Sequence, residues 1–176
     1  MKTLRSIMVT LLLIVGVFGA ACSSTKEGPP SDQSPKPGFQ AALEQPGFDE
    51  VMDREWVLSQ IQTPAGHGEF SREALEAQDM GDCYTLRFDT ERLSGKGAPN
   101  RYAAPYQLGE SAAISIQAIA GTLMASIREP PGLGEREYYG YLERVSRWGL
   151  QNDALNLYTS DSAGESLVLV YRLRRE

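Results

Sequence analysis

Ala154-Leu155-Asn156-Leu157-Tyr158 and Ser166-Leu167-Val168-Leu169-Val170-Tyr171, set either side of Ser162-Ala163-Gly164, decide the fold. Both runs are apolar and of strand length, and small residues separate them, which is the pattern of a closing antiparallel hairpin. Earlier stretches repeat the signal. Tyr84-Thr85-Leu86-Arg87-Phe88 alternates cleanly, with Arg92 to Lys96 as its hairpin partner. Trp56 to Ile61 reads as a first strand, Ala113 to Ile119 sets Ile114 and Ile116 on one face, and Leu123-Met124-Ala125 reads as one more short strand. Thr63 to Gly68 is a loop, and Ser71 to Met80 is a short helix stopped by Gly81.

One strong helix is expected, from Glu135 to Arg147. Tyr138, Tyr141, Leu142, Val145 and Trp148 fall at i, i+3, i+4, i+7 and i+10 along a single apolar stripe. Glu135 and Glu137 stand in its first turn and Arg144 and Arg147 in its last, as the helix dipole favours. The expected fold class is α+β: an antiparallel sheet with one amphipathic helix packed across it.

The region before this domain has a different character. Lys2 and Arg5 precede Ile7 to Ala21, a run without charge whose only polar residue is Thr10. Fifteen helical residues rise about 22 Å, short of a hydrocarbon core about 30 Å thick, so residues 1–21 read as a signal peptide and not a span. The run ends Gly19-Ala20-Ala21-Cys22, which resembles the bacterial lipobox, departing from it at Gly19, where an aliphatic residue is usual. That resemblance implies cleavage before Cys22 and acylation of Cys22 with palmitate-like chains. A plain signal peptide with an incidental cysteine is the competing reading. Ser23 and Ser24, with no Asp after the cysteine, resemble the sorting signal for the outer rather than the inner membrane.

Residues 22–50 hold Pro29, Pro30, Pro35, Pro37 and Pro46 and no Val or Ile, too little apolar surface to offset the entropy of ordering. They read as a tether, leaving 51–176 as the folded domain. Phe39 to Leu43 and Phe48 are the residues of that stretch able to dock on it. The second cysteine, Cys83, sits at a strand entry and reads as a buried thiol.

The 176-residue chain carries a net charge of −6, which argues against a nucleic-acid partner. After removal of residues 1–21, 15 basic residues face 23 acidic ones. The membrane is therefore reached through the N-terminal lipid and not through electrostatics.

Gly97-Ala98-Pro99-Asn100-Arg101-Tyr102-Ala103-Ala104-Pro105-Tyr106 resembles the META/HslJ domain of bacterial envelope proteins. Its neighbours follow that family's order: Trp56-Val57-Leu58, Phe88, Ile114/Ile116, Thr122-Leu123-Met124-Ala125-Ser126, the helix near Tyr138 to Val145, and Leu155/Leu157. The resemblance implies a small, partly open β-barrel-like sheet and brings no shared catalytic centre. The family often carries a cysteine pair where Pro99 and Ser126 stand here, so the resemblance implies a lost disulfide. Ala104-Pro105 replaces the family's glycine before its second tyrosine.

Candidate chemistry is sparse. His67, the one histidine, lies between two glycines with no second histidine or cysteine nearby for a metal or a triad. Gly95-x-Gly97 opens no strand-to-helix unit, so it is not a phosphate cradle. Asn100, Arg101, Tyr102 and Tyr106 are the expected binding surface, at one mouth of the sheet. Asn100 as a turn residue bonding its own backbone is the competing reading. Three functions remain in play: a non-enzymatic binding or assembly module held on the envelope by lipid, a carrier for a small apolar or lipid ligand between helix and sheet, and a hydrolase. No cofactor or metal is expected, and the partner is an unknown envelope protein or a small ligand.

Overall fold

A computed structural model describes residues 47–125, 128 and 130–174. Cys22, the expected signal peptide, most of the expected tether and Ser126 lie outside the described residues. In chain order the elements are β1 (Trp56–Thr63), β2 (Gly66–His67), α1 (Arg72–Glu76), β3 (Thr85–Phe88), β4 (Arg92–Lys96), β5 (Arg101–Leu108), a 3₁₀ turn at Glu110–Ala112, β6 (Ile114–Ile116), β7 (Ala120–Gly121), α2 (Glu135–Glu143), β8 (Arg147–Gln151), β9 (Ala154–Ser160) and β10 (Ser166–Leu173).

The strands form one antiparallel sheet in the order β6-β5-β4-β3-β1-β10-β9-β8, with β2 on β1 and β7 on β5. The chain ends of the sheet almost meet. Ala113 bridges Arg147, and the Ile114 amide donates to the Ser146 carbonyl at 3.1 Å. The result is a nearly closed barrel, whose curvature removes most exposed sheet edge. The β9–β10 hairpin runs in unbroken register from Ser166↔Ser160 to Arg172↔Ala154, and Asp161 Oδ1 caps its turn by accepting from the amides of Ala163 and Glu165.

Two expectations along the chain are corrected. The helix stops at Glu143, about one turn short of the expected Arg147, and Arg147 instead begins β8. Tyr138, Tyr141 and Leu142 are the buried helical part of the stripe, while Val145 and Trp148 are buried beyond the helix end. Pairing with β9, Trp148 opposite Leu157 and Leu150 opposite Leu155, satisfies the backbone that one further helical turn would have engaged. Asn152 and Asp153, at φ 50° and 59°, close this extra hairpin as a two-residue type I′ turn. The second correction concerns Leu123-Met124-Ala125, which is no strand; Leu123 and Met124 project into solvent, and Ala120–Gly121 pairs with β5 instead.

The domain also begins earlier than Val51. Phe48 is completely buried, edge-on against Phe88 (5.4 Å between ring centroids) and Trp148 (4.8 Å), and Val51 is buried beside it. The Val51 carbonyl accepts from the Trp56 indole at 2.9 Å. Residues 47–53 therefore plug one end of the barrel, and Phe48 belongs to the core and not to the tether.

Near the other side, Ser71 caps α1 through its hydroxyl, which accepts from the Ala74 amide. This sets Arg72 under the sheet where β1 and β3 diverge. Its guanidinium donates to the carbonyls of Leu58 (2.8 Å) and Cys83 (3.0 Å), bridging backbone that no strand pairs. The Cys83 thiol is buried and free, as expected, and burial raises its pKa.

Candidate functional site

The strand β5 alternates, and the alternation divides the four expected site residues. Tyr102, Ala104 and Tyr106 point inward and are buried, Arg101 faces solvent, and Asn100 is buried at the strand's entry. A period of two places neighbours on opposite faces, so Arg101 cannot share one surface with Tyr102 and Tyr106.

Asn100 serves architecture. Its Nδ2 donates to Glu135 Oε2 (2.7 Å) and to the Met124 carbonyl (3.2 Å), and its Oδ1 accepts from Thr122 Oγ1 (2.8 Å) and the Met124 amide (2.7 Å). Glu135 Oε1 accepts in turn from the amides of Ala98 (2.6 Å) and Asn100 (2.8 Å). Both amide hydrogens and both principal lone pairs of Asn100 are thus engaged. The side chain joins the 97–100 loop, the segment after β7 and the start of α2. It bonds other segments, and not its own backbone as the turn reading supposed.

The tyrosines form a second network inside the barrel. Tyr102 Oη donates to the Thr85 carbonyl at 2.8 Å, which uses its one proton. Tyr138, 3.0 Å away, then donates to Tyr102, and Tyr171 donates to Tyr138 at 3.1 Å. Every phenol in this relay has a partner. Tyr106 Oη donates separately to the Asp89 carbonyl at 2.7 Å. The Gly95-x-Gly97 pair makes the room: a Cβ at Gly95 would lie 2.0 Å from the Thr85 carbonyl and 2.7 Å from Tyr102 Oη, and one at Gly97 would lie 2.5 Å from Glu135 Oε1. These glycines permit the close approach that residue spacing alone left unexplained.

Burial raises the pKa of Tyr102, Tyr138 and Tyr171, that of Tyr138 to about 12. The volume between α2 and the sheet, where a carrier would hold its ligand, is filled by Tyr138 and Leu142 packed with Tyr84 and Tyr171. His67 lies in β2 opposite Gln62, and among the described residues no cluster of three His, Cys, Asp or Glu side chains has the geometry of a metal site.

The outer face offers a different site. A depression of about 480 Å³ lies over β3, β4 and β5, floored by Thr85, Gly95 and the back of Tyr102. Arg87, Lys96, Arg101 and Arg174 surround it, with Glu55 and Asp82 as its carboxylates. Lys96 is ion-paired with Asp82, Arg174 with Glu55 at 3.3 Å, and Arg87 with Asp53 at 3.0 Å. The hydrogen bond from Lys96 holds the Asp82 carboxyl below its ordinary pKa. The Arg101 guanidinium, directly across the β4–β5 ladder from Lys96, has no hydrogen-bond or ion-pair partner among the described residues. Three of the four cations are paired with carboxylates and Arg101 is left over, in a domain whose 13 basic residues from Val51 onward are outnumbered by 18 acidic ones. Only Arg101 of this group was legible beforehand. Outward positions at i and i+2 on paired strands would have located Lys96 and Arg87 once the register was known.

Comparison with known proteins places the fold. A solution structure of a protein from Burkholderia xenovorans is similar with a TM-score of 0.52 and 24% identity, covering 86% of this chain and all of that one. A crystal structure of a DUF4847-family protein from Bacteroides vulgatus has a TM-score of 0.49 and 11% identity, covering 73% of this chain and 97% of that one. No curated protein is significantly similar in sequence. The META-domain family model matches residues 49–172, from just after Phe48 into β10, and the chain belongs to the META-domain family.

Proposed function

We propose that this is a lipid-anchored envelope protein, held at Cys22 on the outer membrane, whose META domain is a non-enzymatic binding or assembly module. Its contact surface is the cationic depression around Arg101, and its partner is an acidic segment of another envelope protein. The unpaired Arg101 guanidinium beside Lys96 carries this reading. A free, planar, always-charged donor set into a concave surface recognises carboxylates well.

The filled interior supports an outer-surface contact over a carrier. Tyr102 supports the depression from its floor, while Asn100 and Tyr106 lie outside its lining. Crosslinked envelopes should yield a reproducible partner with the wild-type chain, and Arg101→Glu should lower its recovery at least tenfold. Equal recovery with Arg101→Glu, or no reproducible partner at all, counts against the proposal.

A further inference from the structure

Two large apolar side chains stand in water on the segment paired with Arg101. Leu123 is fully exposed and Met124 is 60% exposed, the only large hydrophobic residues so placed among the described residues. At a loose turn this would mean little, but this turn is fixed. Its Thr122 amide donates to the Arg101 carbonyl at 3.0 Å, and the Arg101 amide donates to Thr122 Oγ1 at 3.2 Å. The Met124 amide and carbonyl are both held by the side chain of Asn100, itself buried and bonded to Glu135. A buried polar cluster thus holds an apolar pair out of the core, and a contact made by preorganised groups loses less entropy on binding.

The register sets the distance of this pair from the free guanidinium. Directly opposed residues run Arg172, Val57, Thr85, Lys96 and Arg101 across β10, β1, β3, β4 and β5, and Thr122 continues the row beyond β5. Thr122 therefore lies about 4.8 Å from Arg101 by strand spacing, and Leu123 and Met124 follow at about 3.3 Å per residue. The backbone stations of the apolar pair and of Arg101 are then about 6–8 Å apart. In an extended peptide, side chains two residues apart share one side at about 6.6 Å, which matches that separation.

We infer that the occupant of this surface is an extended peptide segment in which a carboxylate and a large apolar side chain stand two residues apart, the carboxylate on Arg101 and the apolar group on Leu123 and Met124. The inference rests on the proposed role of Arg101 and narrows its partner from acidic segments in general to acidic–apolar ones. Charge selects a peptide over a leaflet. From Val51 onward 18 acidic residues face 13 basic ones, so an anionic membrane surface gains no net attraction. One carboxylate, by contrast, meets the guanidinium that the three ion pairs of the depression leave over. Burying the apolar pair adds affinity that a purely acidic chain lacks, and so separates partners that charge alone would treat alike.

The test is titration of two fluorescein-labelled, C-terminally amidated peptides, Gly-Leu-Ser-Glu-Ser-Leu-Gly and Gly-Ser-Ser-Glu-Ser-Ser-Gly, into the full chain held in phosphatidylcholine nanodiscs. The first places Leu two residues from Glu in either chain direction, and the two peptides carry equal charge. The Leu peptide should bind at least fivefold tighter. Leu123→Ser and Met124→Ser introduced together should abolish that preference, leave binding of the Ser peptide unchanged and preserve the melting temperature. Arg101→Glu should weaken both peptides. Weakening by Arg101→Glu with equal binding of the two peptides overturns the inference and spares the role of Arg101. No effect of Arg101→Glu, or no saturable binding of either peptide, overturns both. A dimer in sedimentation that disappears with the paired Ser substitutions would assign the apolar pair to a second copy and overturn the inference. So would binding of the Cys22→Ser protein to phosphatidylglycerol vesicles that disappears in the same way, which would assign the pair to the membrane.

Discussion

Gly95 shows how much a single missing side chain can decide. Its α-hydrogen lets Tyr102 lie across β4 and reach the Thr85 carbonyl. Gly95→Ala drives a methyl group into that carbonyl, and neither partner can retreat without breaking the sheet. We expect a loss of about 3 kcal/mol in chemical denaturation, at the upper end for overpacking. The phenol relay makes an ordered prediction. Tyr138→Phe leaves the buried Tyr171 hydroxyl without an acceptor and should cost about 1–3 kcal/mol, the penalty of an unsatisfied buried donor. Tyr171→Phe removes a terminal donor whose acceptor keeps its other bond, so it should cost less. Equal losses would refute the assigned direction of the relay.

The same tyrosines set the alkaline limit. Seven tyrosines have raised pKa values with burial as the chief cause, Tyr106 and Tyr138 to about 12. In the unfolded chain each releases its proton near pH 10, about the free value. Above that pH the folded state holds more protons than the unfolded one, so stability is full below about pH 10 and falls as pH rises toward the folded values. Phenolate absorbance should rise in one cooperative step together with loss of circular dichroism. A gradual rise while the fold persists would contradict this burial.

At the scale of elements, the β8–β9 hairpin and the end of α2 are one event. Arg144 takes φ −97° and ψ 5°, leaving the helix without glycine or proline to stop it. What stops it is the strand pairing that follows, fixed by Asn152 and Asp153 at positive φ. Asp153→Gly would supply the residue that the second position of such a turn prefers, and should raise stability by about 0.5–1 kcal/mol, read as a higher melting temperature. This hairpin explains why the helical stripe misled. Val145 and Trp148 are buried as the stripe requires, but Val145 lies in the link after the helix and Trp148 in β8. The clue was the Asn-Asp pair, which separates Leu150 from Leu155 at hairpin spacing. By contrast Tyr84–Phe88 with Arg92–Lys96, and the two closing runs, were readable because local alternation and local pairing agree.

For the molecule as a whole, the proposed anchor and the domain have separate duties. Cys22→Ser should move the protein from the membrane fraction to the soluble fraction, while Arg101→Glu should leave its membrane partition unchanged. Several acyl chains make a lasting attachment, and an acidic domain adds no electrostatic hold on an anionic leaflet. A soluble fraction that appears with Arg101→Glu would assign the cationic face to the membrane and not to a protein partner.

Composition, periodicity and motif order determined the antiparallel α+β class, the strands that pair with sequence neighbours, the buried Cys83 and the family. Those features depend on short-range pattern, which a linear reading contains. The tertiary structure alone decided that Phe48 plugs the barrel, that Asn100 and Tyr102 hold the fold together while Arg101 faces out, and that Arg87, Lys96 and Arg174 gather beside it. Each of these depends on which strand lies beside which, and on which face a residue presents once the sheet has curled. A one-residue step along β5 reverses that face, and only long-range pairing fixes it.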